Sequence, residues 1–523
     1  MEDNHWPINS SMNKKSFWVL TISLAIFKLL IHLCTGSNYE LHRDEMLYFT
    51  MGSHLSWGFA STPPFISFLG FIVKSIFGYH EFAVKLFPAL FGALIVILIA
   101  LFIKEIGGNK PGIFFGCFAY ILSTAMLRTS SLFMPVIFEL FFWTLFLYFV
   151  LKLINRQDPK YWIWIGISFG LAFLNKYSIL ILGFATLIAI LISEHRKLLF
   201  SKYVIFGSLL ALLIISPNLI WQIQHNLAVV IHMKELYRTQ LDHVSIGSFL
   251  GEQVMMNFSV LLIWGAGLMM LLFVKTEKRY KVFAHIFLIV LFLFLILKGK
   301  PYYTLGVYVM MFAFGGFCME KYLTGNRKWI KHTLIIFAII STIITLPFGL
   351  PILPQKQMEK FCTFHSKYIT SEPMRGEANI FYPLPQDYMD MTGWKETADL
   401  VFQAYNKLDS IQKMSCIIFA NNYGQASAIE FYGKQYHLPP VVCLNDSYIF
   451  WAPDSLTALN TIVSDNQLGD IPRLFNNYIE IGEINNRYFR ENGLKVYLCQ
   501  NPTTIWNKFF KDRIKDHKKM YRQ

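Results

Sequence analysis

The chain has 523 residues, of which 54% are apolar, 17% aromatic and only 15% charged, with 49 Phe. A soluble chain carries roughly a quarter charged residues, and no water-soluble domain hides this much apolar surface, so lipid must be the solvent for much of it. The net charge of +14 therefore bears on membrane topology before nucleic acid, and the length allows two or three domains.

Taken in chain order, Lys14-Lys15 precede an apolar run over 16–34. The run is long for a signal-peptide core and lacks a small-x-small cleavage site, so it reads as an uncleaved first span. Crossing a core of about 30 Å takes about 20 apolar residues. Ten further candidates follow at 83–103, 112–127, 132–151, 161–175, 177–193, 203–221, 250–274, 282–297, 303–319 and 330–348. With the N-terminus in the cytoplasm, the short cytoplasmic loops carry eighteen Lys and Arg, against nine in the longer loops of the other face. That bias predicts eleven spans, N-in, with the C-terminal region outside. Two exterior loops are long, 35–82 and 222–248. The first holds amphipathic stretches at 46–57 and 65–77, expected to lie along the membrane surface as short helices.

Beyond 354 the composition shifts to Asn, Asp, Pro and Tyr with no further spanning run. The expected division is a membrane domain over 1–354 and a soluble exterior domain over 355–523. Short apolar runs at 416–420, 441–444, 478–484 and 494–499 alternate with helical patterns at 394–408 and 425–435, which predicts a small α/β domain. Cys362, Cys416, Cys443 and Cys499 would allow up to two disulfides if this part is exported, in three connectivities the sequence does not separate. Cys34, Cys117 and Cys318 fall in or beside spans, as small apolar fillers. The basic segment 508–522 reads as a solvated amphipathic helix or as a contact for anionic lipid.

The strongest local signal is His42-Arg43-Asp44-Glu45, just past the first span. Four ionisable residues beside a membrane face are costly unless used or paired. One reading is an internally paired interfacial cluster. The other takes Asp44 with Glu81, at the far end of the same loop, as carboxylates that approach each other, one accepting a proton from an attacking group and the other orienting it. The same face collects Lys176 and the run Lys298-Gly299-Lys300-Pro301-Tyr302-Tyr303. Each alone is a topology charge; with His42 and Arg43 they make an anion site for a phosphate at the membrane surface. Lys28 and Glu139 lie within spans, as functional groups or as structural pairs. No Gly-Lys-Ser/Thr run supports nucleotide hydrolysis. In the tail, Asn422, Tyr423 and Gln425 follow a predicted strand and open a helix, a place where α/β folds bind ligands and also where ordinary capped turns occur.

These residues carry a resemblance. HRDEMLYFTMGSHLSWGFASTPPF and FGYHEFAVKLFPALFGAL resemble the first exterior loop and second span of the dolichyl-phosphate-mannose–protein mannosyltransferase superfamily (glycosyltransferase family 39, GT-C fold). The likeness continues through LFMPVIFELFFWTL, WIGISFGLAFLNKYSIL, SPNLIWQIQHN and KGKPYYTLGVY into NNYGQASAIEFYG and LPPVVCLNDSYIFWAP. It is similar to bacterial members with a soluble tail, which include enzymes adding aminoarabinose to lipid A. The resemblance implies a polytopic GT-C membrane protein of the bacterial inner membrane, with a small α/β periplasmic domain. It implies transfer of a sugar from a polyprenyl-phosphate donor to a lipid, protein or polysaccharide acceptor by an inverting single displacement. Asp44 would be the base, with Glu81 and Glu45 beside it. Lys176 and Lys300 would meet the donor phosphate, as would Lys85, which stands where the family has Arg and so loses a bidentate fork. Asp44, Glu45 and Glu81 could also hold a divalent metal, on which related enzymes differ. A lipid-linked-substrate flippase or transporter, or a polysaccharide ligase, would also suit many spans with exterior polar loops, although no two-fold repeat is visible.

Overall fold

The computed structural model describes residues 12–36, 38–377, 380–456 and 458–521. Every one of the eleven apolar candidates is helical. Seven helices are long and apolar enough to cross a membrane: Lys14–Leu33, Glu81–Glu105, Pro135–Arg156, Lys202–Gln224, Lys275–Ile296, Pro301–Tyr322 and Gly325–Gly349. An eighth span results if the bent pair Ile246–Met255 and Phe258–Phe273, at 59°, counts as one. Lys110–Leu122, Tyr161–Asn175 and Ile179–Leu191 are apolar but shorter. The chain is thus an integral membrane protein.

Two compact units emerge. The membrane unit comprises 1–36, 85–217 and 237–352; the tail-bearing unit comprises 37–84, 218–236 and 353–523. The exterior loop around Asp44 therefore folds with the tail residues.

Within the membrane unit, lipid offers no hydrophobic drive between helices, so close crossings rest on small residues. Gly316 meets Gly112 and Gly116, and a Cβ on Gly316 would lie 2.4 Å from the Gly112 carbonyl oxygen. Gly166 meets Gly207 equally tightly, at 2.1 Å from its carbonyl oxygen.

The tail-bearing unit is built on a five-stranded sheet. Its strands are β1 (Cys416–Ala420), β2 (Val441–Val442), β3 (Asn460–Asp465), β4 (Phe475–Glu483) and β5 (Lys495–Pro502), in the order β2-β1-β3-β5-β4. β1 runs parallel to β2 and β3, whereas β5 is antiparallel to β3 and β4. The sequence missed β3, whose buried residues include Asn460, Thr461 and Ser464; a strand buried on both faces shows no alternation of polarity.

One core joins the exterior loop to the tail. Leu47, Met51 and Phe59 pack with Val401, Ile418, Ala426, Ile429 and Val496. Phe49 is set edge-on against Phe431, 5.0 Å between ring centres. The apolar face of helix Arg43–Met51, expected against lipid, is thus buried by helix Tyr423–Tyr432. All seven cysteines are free thiols, and the four in the tail are buried, so neither disulfide forms; burial pushes the Cys443 thiol up to about 12.

Candidate functional site

Helix Arg43–Met51 begins in a capping box. His42 Nδ1 accepts from the Asp44 backbone N–H at 3.1 Å, and Glu45 Oε2 accepts from the His42 N–H at 2.8 Å. Two of the predicted site residues, His42 and Glu45, thus hold the helix start. Asp44 is left on the first turn, where the helix dipole favours a carboxylate.

Asp44 Oδ1 accepts a hydrogen bond from the Tyr423 hydroxyl at 2.8 Å. Burial first, and the Asp44 charge second, hold the Tyr423 phenol well above its ordinary range, so it keeps its proton and donates. The Arg43 guanidinium lies over the Tyr423 ring, 4.5 Å from its centre. Arg43 also faces Asp390 and Glu491, both at 4.0 Å, while its buried Nε makes no hydrogen bond. Burial alone would lower the Arg43 pKa; Tyr423, Asp390, Asp44 and Glu491 outweigh it and raise it, keeping the cation.

The network extends through residues with no local motif. Arg490 pairs with Asp390 at 2.9 Å and with Glu377 at 3.0 Å. Burial raises the Asp390 carboxyl against the pull of His42, Arg490 and Arg43. Asn422 caps helix Tyr423–Tyr432 through its Oδ1 and donates to Glu491 at 3.0 Å, and Gln425 donates to Glu491 at 2.7 Å. Asn422, Tyr423 and Gln425 thus share one network with Arg43 and Asp44. Four carboxylates surround two guanidinium groups, leaving acid in excess.

Glu81 sits elsewhere in the same unit, paired with Lys395 at 2.7 Å. Nearby, Glu40 Oε2 accepts from the Trp394 and Lys395 backbone N–H groups and so closes the N-terminus of helix Trp394–Asn406. Burial pushes Glu40 up to about 7 against those two bonds. Asp44, Glu45 and Glu81 each have separate partners, and among the described residues no three His, Cys, Asp or Glu side chains group to hold a metal.

In the membrane unit, Lys176 pairs with Glu139 at 2.7 Å and lies 4.4 Å from the centre of the Tyr303 ring and 5.5 Å from that of Tyr302. Ser178 also donates to Glu139. Lys85 donates to the Gly36 carbonyl at 3.0 Å. Lys28 is fully buried, donating to the Met126 carbonyl at 3.2 Å beneath the Tyr120 ring. Lys300 stands before the turn Pro301–Thr304, and its carbonyl accepts from the Tyr303 N–H at 3.0 Å.

Comparison with known proteins fits this layout. Residues 61–221 match the family described as dolichyl-phosphate-mannose-protein mannosyltransferase. The chain is 25% identical over 227 residues to the lipid A galacturonosyltransferase RgtD of Rhizobium johnstonii, covering 43% of this chain and 47% of that protein. It is 21% identical over 338 residues to the lipopolysaccharide core galacturonosyltransferase RgtA of the same organism, covering 62% and 63%. The matches thus span about half to three fifths of these relatives. The crystal structure of ArnT from Cupriavidus metallidurans bound to undecaprenyl phosphate superposes with a TM-score of 0.59 at 12% identity, over 93% of this chain and 98% of ArnT. Fold and sequence together make this chain a polytopic GT-C membrane protein with a small α/β tail domain. Within that class its layout is ArnT-like, and residues 61–221, which begin beyond Asp44, are similar to the mannosyltransferase family.

Proposed function

We propose that the chain is a glycosyltransferase that moves a sugar from a polyprenyl-phosphate donor to an acceptor at the outer face of the membrane, with Asp44 as base. The observation that carries this reading is the setting of Asp44: a first-turn carboxylate with one oxygen fixed by Tyr423 and a buried cation alongside. Support comes also from the names of the two Rhizobium relatives and from the undecaprenyl phosphate bound by ArnT, the protein of like fold.

In the proposed step the acceptor gives its proton to Asp44 as its oxygen attacks the anomeric carbon. The bond from that carbon to the phosphate oxygen breaks, and its electron pair leaves with the polyprenyl phosphate, inverting the centre. Tyr423 is a positioning residue: it holds one Asp44 oxygen and leaves the other for the acceptor. Arg43 holds that pair in place through Asp390 and Glu491. Glu81 is a support for the loop through Lys395. Lys176 and Lys300, with Tyr302 and Tyr303, are assigned to the leaving phosphate, where cations offset the developing charge; Lys85 is assigned to the same charge as a point cation. The reading requires eleven spans with the tail outside.

The test is transfer from a polyprenyl-phosphate sugar in proteoliposomes. Asp44→Asn should lower product formation about a thousandfold while folding normally. Lipid translocation by that variant, without a requirement for any product, would instead identify a flippase.

A further inference from the structure

We infer that the tail-bearing unit carries a second binding site, a pocket for a single neutral sugar ring walled by His54, Trp221, His225, Phe450 and Trp451. The cavity measures about 290 Å³, at the small end of the range for small-molecule sites, about 300–1,000 Å³. It has room for one ring and little more. Choosing a sugar rests on the glycosyltransferase reading; the pocket itself shares no residue with the Asp44 network.

The walls are built, not incidental. His54 is stacked on Trp451, 4.1 Å between centres at 14°, and His225 is stacked on Trp221, 4.0 Å at 13°. Phe450 sets its ring across both Trp221 and His225, at 81° and 87°. Gly58 lies so close to the Trp221 indole that a Cβ would come 2.2 Å from Cε3. Asn218 ties the loop down by donating to the Trp57 carbonyl at 2.6 Å. On the other side, Ser447 accepts from the Ala60 N–H at 3.1 Å and Asp446 from Ser61 at 3.2 Å. Three stretches distant in sequence are thereby locked around one small space.

The chemistry of the lining selects the ligand. Among the described residues none of the lining groups is Lys, Arg, Asp or Glu, so the wall itself offers no charge to fix a phosphate or a metal cation. His225 Nδ1 donates to the Trp221 carbonyl at 2.8 Å, which leaves Nε2 for a ligand. His54 is lowered below its ordinary value by burial and by Lys74, which favours the neutral ring. Flat apolar walls with a few neutral donors and acceptors at their edges, Ser56 among them, match a pyranose: C–H faces and a hydroxyl rim. Trp221 stands in the last turn of the span-length helix Lys202–Gln224, so the ring recognised would belong to a saccharide at the membrane boundary.

The experiment uses the full chain in nanodiscs free of glycolipid, since maltoside detergents carry the ligand class themselves. Methyl β-D-galactoside and methyl β-D-glucoside are titrated, reading tryptophan emission and saturation transfer to the sugar C–H protons. At least one glycoside should bind saturably, with affinity reduced about tenfold in the His54→Ala/His225→Ala variant and unchanged in Asp44→Asn. Ser56→Trp, which fills the cavity without removing a wall, should abolish binding and guards against misfolding of the double variant. The inference is overturned if neither glycoside binds, if the pocket variants bind normally, or if Asp44→Asn removes binding. Response to dihexanoylphosphatidylcholine alone would make the pocket a lipid headgroup site and would also overturn it. Loss of transfer chemistry as a reading leaves these binding outcomes untouched, so the two can fail separately.

Discussion

In the membrane unit Glu139 meets one cation, Lys176, under two tyrosine rings, and the pair is complete in itself. In the tail-bearing unit Arg43 is shared among Asp44, Asp390 and Glu491 at distances that leave no tight pair, and Arg490 is shared in turn between Asp390 and Glu377. Burial does not make the contrast, since Lys176 is 22% exposed and Arg43 15%; the number of acids around each cation does, and where several divide one cation, one can remain available for chemistry. A closed pair fixes its cation in one place, where it can serve a leaving phosphate; an open network leaves an acid to react.

That contrast can be broken most severely at Asp44. Asp44→Asn should lower transfer by about three orders of magnitude with an unchanged melting temperature; comparable loss of both would make Asp44 structural. The next largest effect should come from the closed pair. Glu139→Gln strands Lys176, which is 22% exposed, so the cost should be about 1–3 kcal/mol, less than for a fully buried pair. The double change Glu139→Leu/Lys176→Met should recover most of that stability, as read by thermal unfolding.

Tyr423→Phe sharpens the comparison by touching geometry alone. It should lower kcat about tenfold, the worth of one hydrogen bond to a charged group, with KM little changed. Rate loss matched by a fall in melting temperature would demote Tyr423 to a core residue. The smallest effect concerns pH. Glu40 titrates at about 7 in the folded chain against an ordinary value near 4.5, so its folded form prefers the proton. Its contribution to stability is full below the ordinary value and is lost as pH rises through 7. Glu40→Gln keeps an acceptor for the helix end and should flatten that decline in a melting series from pH 4 to 8.

The helices of the membrane unit were legible because lipid imposes long apolar runs, and all eleven runs are helical. The site was legible only where its residues are neighbours in sequence, as in His42-Arg43-Asp44-Glu45. Asp390, Arg490 and Glu491 carry no motif and lie more than three hundred residues further on, so nothing local marks them as partners of Arg43. The same distance concealed the burial of Leu47 and Met51: an amphipathic helix beside a membrane looks the same whether lipid or another domain covers it. Glu40 went unnoticed because it closes a helix that begins at Trp394, in another part of the chain.

The core shared by the loop and the tail has a practical consequence for anyone cutting or grafting this molecule. A fragment starting at 355 would lose the cover over helix Tyr423–Tyr432, baring Phe431 to solvent, and should precipitate when produced alone. A chimera that swaps the tail with that of a homologue should work only if residues 38–84 travel with it. Loop and tail are therefore one inheritable piece.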